Sequence, residues 1–174
     1  MPFTPYHFGP SGFLGLVFRK WIDLPIFVLA NVIVDIEVLV IWFSGLGWPL
    51  HRYVHTLLVG TAAGALFGAA AYPSRNFFKR IMRIFKLPYE TDLGKMIVSG
   101  ILGVWCHVII DAIYHPEVQI FWPINATPLF GLISRQQLEI ACAIFFIPVI
   151  ILYVISALSY AKKKSGHNEK TILT

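Results

Sequence analysis

The chain reads as an all-α protein, a polytopic membrane helix bundle of about four transmembrane helices with an N-terminal half-helix and a basic interfacial helix. Three observations lead there. Hydrophobic residues make up 57% of the sequence and charged residues only 13%, with a mean hydropathy of +0.70, beyond ordinary soluble composition. The apolar residues gather in runs of about twenty, the length that crosses a hydrocarbon core. The net charge of +5 is concentrated in clusters beside those runs, which is the pattern of membrane topology rather than of a nucleic-acid surface.

Phe8 to Phe18 is apolar but too short to span, and it carries Gly9-Pro10 at its start, so it is expected to be a half-helix or re-entrant element. Leu24 to Trp42 is the first span, interrupted by Asn31, Asp35 and Glu37. Val54 to Tyr72 is the second, closed by Pro73, with Gly60, Gly64 and Gly68 forming a small-residue ridge for close helix packing. In NFFKRIMRIFKLP, Phe77, Phe78, Ile81, Met82 and Phe85 share one helical face. Lys79, Arg80, Arg83 and Lys86 fill the other, as in a helix lying on an anionic membrane surface. Met96 to Tyr114 is the third span, ended by Pro116, and Leu138 to Tyr160 is the fourth, with a kink expected at Pro148. Residues 1–161 thus form one membrane-embedded domain, and 162–174 are expected to be a basic tail without structure. Cys106 and Cys142 lie in apolar runs and are read as packing residues. No signal peptide is expected, because the N-terminus lacks a basic n-region and a small-residue cleavage site.

Arg19 and Lys20, the basic residues Arg75, Lys79, Arg80, Arg83, Lys86 and Lys95 between the second and third spans, and Lys162 to Lys164 all fall on one side. The positive-inside rule makes that side cytoplasmic, the C-terminal tail included. Placement in a prokaryotic inner membrane is expected.

Five of the six histidines lie within or just before apolar stretches. In VWCHVIIDAIYHP, His107, Asp111 and His115 are four residues apart, so a helix stacks them on one face. His51 and His55 repeat the spacing at the head of the second span. At a helical rise of about 1.5 Å per residue, Asp111 stands roughly 24 Å above Lys95 and Asp35 roughly 22 Å above Lys20. His7 reaches a similar depth if the first helix runs antiparallel to the first span. Imidazoles and carboxylates are costly to bury in an apolar bundle, and their agreement in depth points to a shared site. Mixed His/Asp ligation suits a divalent transition metal, zinc first, with manganese or iron as alternatives. The donors are numerous enough for one ion or two.

MPFTPYHFG, ANVIVDIEVL, HRYVHT and HVIIDAIYHPEVQIFWP together resemble the membrane-bound metal-dependent hydrolases, small inner-membrane proteins also described as LexA-binding hydrolases. The resemblance runs from Met1 to about Phe130 and leaves the fourth span unmatched. It implies His7, Asp35, His51, His55, His107 and Asp111 as the metal or catalytic set. Two departures stand out. Val34 occupies the place of a proline, and HRYVHT lacks the glycine and the longer histidine spacing of the family's HRG-x-T-H-S-like segment.

The function expected from all this is hydrolysis of a phosphoester, of a lipid in the bilayer, at a site opening to the non-cytoplasmic face. Glu37 or Glu117 is a candidate general base, and Arg52 a partner for a substrate phosphate. His115, beside Pro116, is expected at the rim of the site, orienting a ligand or touching substrate. Two readings from other classes use the same cluster: a metal-ion or proton transporter, and a membrane protein whose metal only staples helices. No nucleophile elbow, P-loop or dinucleotide fingerprint occurs, and no nucleic acid is expected as partner. A homo-oligomer is left open.

Overall fold

The computed structural model describes residues 5–51 and 53–172, with side chains as far as residue 162. Among the described residues every regular element is helical, and the chain is an all-α bundle. The helices are α1 (Phe8–Val17), α2 (Leu24–Ile33), α3 (Asp35–Phe43), α4 (Leu57–Ala71), α5 (Arg75–Ile84), α6 (Leu93–Tyr114), α7 (Arg135–Ile144) and α8 (Phe146–Ile172). Four stretches are long and apolar enough to cross a membrane: Leu24–Phe43, Leu57–Ile84, Leu93–Tyr114 and Arg135–Lys162. They mark the chain as a membrane protein.

The central pair is α4 against α6, and its small residues set the distance between the two backbones. Gly60 faces Val104, Gly64 faces Gly100, and Gly68 faces the Met96 carbonyl, so the helices run antiparallel in close contact. A Cβ added at Gly64 would sit 2.8 Å from Ile101 Cα. Trp105 Nε1 donates to Thr61 Oγ1 across the same seam at 2.9 Å. On its other side α6 packs on α2, where Gly103 meets the Phe27 carbonyl and Ala30. Arg19 and Ser156 pair far from the contacts of Gly9 with Cys142 and Gly12 with Val149, so α1 runs alongside α7 and α8 in the same direction.

Asp23 ties the N-terminal ends of α2 and α6 together. Its carboxylate accepts from Ile26 N–H as the α2 cap at 3.2 Å, from Tyr89 OH at 2.7 Å and from the Thr91 hydroxyl. Its own N–H donates to Ser99 Oγ at 2.7 Å. Burial and the Asp23 carboxylate hold the Tyr89 phenol above its ordinary pKa, so it stays a donor.

Several boundaries differ from the expected ones. The first span breaks at Val34 into α2 and α3. The second begins at Leu57, capped by Thr56 Oγ1 accepting from Val59 N–H, so His51 and His55 precede the helix instead of occupying its outer turns. The last span breaks at Phe145, close to the residue whose carbonyl the Pro148 ring would crowd. Beyond it α8 continues to Ile172, so the Lys162–Lys164 segment expected to lack structure is helical. Alanine and lysine are good helix formers. In α5, Phe78 and Met82 are buried against the bundle, whereas Phe77 and Phe85 remain exposed. The helix closes with Lys86 at φ 55°, Lys86 N–H bonding Arg83 O and Leu87 N–H bonding Met82 O. That is a Schellman end, and Leu87 packs on Met82 as the motif requires.

If the backbone approach of α4 to α6 holds the bundle, Gly64→Ala should cost about 1–3 kcal/mol from overpacking. Leu58→Ala, at a side chain 60% exposed, should change little. Thermal unfolding in detergent measures both, and equal effects would contradict this packing.

Candidate metal centre

Asp111 is the hub. It lies on α6 one turn beyond His107, and both side chains are buried. Asp111 Oδ2 is 3.1 Å from His107 Nε2, 3.7 Å from His51 Nε2 and 3.8 Å from His55 Nε2. Its other oxygen, Oδ1, is 3.0 Å from His7 Nε2. Asp35, at the start of α3, brings Oδ1 to 3.3 Å from His107 Nε2 and 3.9 Å from His55 Nε2. His7 enters from the turn before α1 and stacks on His107, ring centroids 4.4 Å apart.

Behind this ring stand two more carboxylates. Glu37 Oε2 is 2.9 Å from His55 Nδ1, and its Oε1 accepts from Val54 N–H at 3.1 Å. Glu117 Oε1 is 2.7 Å from His51 Nδ1 and 3.2 Å from His115 Nδ1. In both pairs the carboxylate holds the outer nitrogen and directs Nε2 inward, which is how proteins orient metal-binding histidines.

The loop carrying His51 and His55 is pinned by Glu37, by Thr56 Oγ1 donating to Tyr53 O, and by Leu57 N–H donating to Ile120 O. His115 takes extended angles, φ −96° and ψ 109°, as the following proline dictates. Its ring swings against His51, centroids 3.9 Å apart.

The structure thus brings together His7, Asp35, Glu37, His51, His55, His107, Asp111, His115 and Glu117, and Arg52 lies outside the described residues. What the sequence left open was the pairing of Glu117 with His51 and His115. Its signal was an acid two residues after a histidine at a helix end.

A metal fits these atoms. Ligands about 2.0–2.2 Å from a four-coordinate ion lie roughly 3.3–3.6 Å from one another, and the close His–carboxylate pairs here lie 3.1–3.9 Å apart. Asp35, His55, His107 and Asp111 form one group of ligand atoms all within 4.8 Å, and His51, His115 and Glu117 form another. His107 Nδ1 is buried without a hydrogen bond, and His55 Nε2 meets carboxylate oxygens only at 3.8 and 3.9 Å, an expensive arrangement unless the group binds something.

Burial, then the neighbouring His55, pushes His51 down to about 4, and burial, then His51, does the same to His115. Both are neutral near pH 7, the form that ligates. For His55 burial also opposes the charge, but Asp35 and Glu37 outweigh it and hold its pKa above the usual value.

A cleft of about 370 Å³ opens beside His51 and Glu117, walled by Pro49, Tyr53, Gln119 and Trp122. Tyr53 and Trp122 meet edge to face there, 5.5 Å between centroids. Ala30, Val34, Val104 and Val108, neighbours of the cluster along α2 and α6, are all buried in an apolar core.

The fold and site define a class: an all-helical membrane bundle with a buried His/carboxylate cluster able to hold a metal ion. No family model, no curated protein and no solved structure matches the chain, so function has to be argued from the site itself.

The lowered pKa of His115 sets a pH dependence. The unfolded chain protonates this residue near pH 6.5, whereas the folded chain does so only near 4. Between those values the unfolded state binds more protons, so acid destabilises the fold. Metal-stripped His115→Gln should therefore lose less stability than the parent between pH 6.5 and 4. Superimposable melting-temperature profiles for the two would contradict the assignment.

Proposed function

We propose that this protein is a membrane-embedded, metal-dependent hydrolase acting on a phosphoester, the phosphate group of a membrane lipid. The observation that carries the reading is the convergence of His55 and His107 Nε2 with Asp35 Oδ1 and Asp111 Oδ2 around one point, with His51 Nε2 3.7 Å from Asp111 Oδ2 on the side of a cleft. A divalent transition metal held there, zinc before manganese or iron, would supply Lewis acidity and a water of lowered pKa. His7 holds the second oxygen of Asp111, so Asp111 is oriented from both ends. Glu37, with both carboxylate oxygens engaged, acts as a positioning residue for His55 rather than as a base.

Glu117 is the better proton acceptor. It lines the cleft, and its Oε2 is buried without a hydrogen bond while Oε1 keeps His51 in register. His115 stands behind His51 at the rim. The cleft belongs to the end of the spanning helices, where a lipid phosphate resides. The apolar packing of Ala30, Val34, Val104 and Val108 beside the cluster, interrupted by the buried Asn31 alone among their immediate α2 neighbours, favours hydrolysis over transport. By the positive-inside rule the cleft faces away from the cytoplasm, and we place the protein in a prokaryotic inner membrane.

Metal analysis of the purified protein, paired with turnover of bis-p-nitrophenyl phosphate and dispersed phospholipid, tests this reading. The parent should carry near-stoichiometric metal, which His107→Ala and Asp111→Ala lose and His115→Ala mostly keeps. Glu117→Gln should retain the metal and lose about 100-fold or more in rate, as removal of a general base does. Two ions per chain falling to one in Glu117→Gln would make that residue a ligand instead. Stoichiometric metal without turnover, together with a melting temperature lowered by Asp111→Ala, would point to a structural staple. Metal-dependent ion flux in proteoliposomes without hydrolysis would point to transport.

A further inference from the structure

The end of the bundle away from the metal centre carries a groove of about 520 Å³ whose rim includes Arg19, Lys20, Tyr89 and Lys95. Lys95 Nζ donates to the carbonyls of Arg19 at 3.1 Å and Glu90 at 2.8 Å, and the ammonium has three protons to give. Arg19 donates through one terminal nitrogen to Ser156 Oγ, and Lys20 is exposed. The acids at the rim are Glu90 and Asp92, and Asp92 is occupied as the cap of α6, accepting from Lys95 N–H at 2.9 Å. Asp23 lies buried beneath, held by Tyr89 and Thr91.

Next to this basic mouth runs a second groove of about 520 Å³, between α1, α2 and α6, lined by Leu14, Phe18, Trp21, Phe27, Leu102 and Ile109. The two grooves share one wall. Arg19 and Lys20 sit between Phe18 and Trp21, so a single turn presents cations to one groove and aromatic rings to the other. Along α6 the order is the same: Lys95 at the mouth, then Leu102 about 10 Å and Ile109 about 21 Å deeper at the helical rise.

A mouth where Arg19, Lys20 and Lys95 outnumber the rim acids Glu90 and Asp92 by one, over an apolar channel running along the spanning helices, suits a phospholipid: phosphate above, acyl chain below. The exposed cations Lys79, Arg80 and Arg83 on α5 add positive charge at the same end and favour a lipid of net negative charge. We propose that Arg19, Lys20 and Lys95 bind the headgroup of an anionic phospholipid whose acyl chain lies in the groove lined by Phe18, Trp21 and Leu102. The site is separate from the metal centre and does not depend on the hydrolase reading.

Native mass spectrometry of the full chain in detergent, with equal amounts of phosphatidylglycerol and phosphatidylcholine, tests the proposal. The parent should retain phosphatidylglycerol preferentially, and excess inorganic phosphate should not displace it. Each basic side chain near an anionic surface contributes about fivefold. Lys20→Gln should therefore lower the preference about fivefold, and its exposed position leaves the fold untouched. Arg19→Gln/Lys20→Gln should abolish the preference, whereas Lys79→Gln/Arg80→Gln on α5 should keep most of it. Leu102→Trp, which fills the apolar groove, should reduce retention of the same lipid. Equal retention of both lipids by the parent, displacement by phosphate, or a preference lost only in the α5 variant would overturn the proposal.

Discussion

A carboxylate on an apolar helix has to be answered by something, and Asp111 is answered from four directions. His7, His51, His55 and His107 reach it from the N-terminal turn, the loop before α4 and α6 itself. Removing ions from water costs several kcal/mol each, and mutual attraction repays that only where geometry and hydrogen bonding are nearly complete. Here they are incomplete, since buried ring nitrogens of His55 and His107 stay unbonded. A metal ion held by this group would neutralise the aspartates and take up the Nε2 lone pairs. The positions of the surrounding elements make physical sense as devices for holding these groups at one point.

The scaffold places that point through backbone contacts that leave little slack. Glycines at the α4–α6 seam fix the rotation and depth of α6, and Gly103 brings α2 in from the other side. The depth of Asp35 relative to Asp111 follows from the Asp23 knot, which locks the starts of α2 and α6 in register through Ser99. From a common base two parallel helices of similar rise bring Asp35 to the level of Asp111, and its Oδ1 meets Nε2 of His107, one turn nearer the base, at 3.3 Å. The loops then add His51, His55, His115 and Glu117 on the cleft side.

Much of this was legible in the sequence because helical geometry is periodic. The four-residue spacing of His107 and Asp111 predicts one face, and counting residues from the basic clusters predicts that His7, Asp35 and Asp111 share a depth. Both inferences need only a fixed rise per residue. The glycine ridge was readable for the same reason. Loop geometry was not. His51 and His55 have helical spacing, yet Thr56 caps a helix that starts after them, and they are held by Glu37 and Glu117, far away in sequence. The break at Val34 has no proline or glycine beside it, and the αL position that ends α5 is filled by Lys86 where glycine is the usual signal. Such features arise from tertiary contacts, which periodicity does not encode.

The central claim is that imidazole nitrogens and aspartate oxygens around Asp111 ligate one divalent metal. X-ray absorption at the zinc edge of the zinc-loaded protein examines that shell directly. The expected spectrum has nitrogen and oxygen neighbours at about 2.0–2.2 Å, with the outer-shell scattering of two or three imidazole rings, and His107→Ala removes part of that scattering. A shell at about 2.3 Å from sulfur, or a spectrum without imidazole scattering that His107→Ala leaves unchanged, would contradict the account.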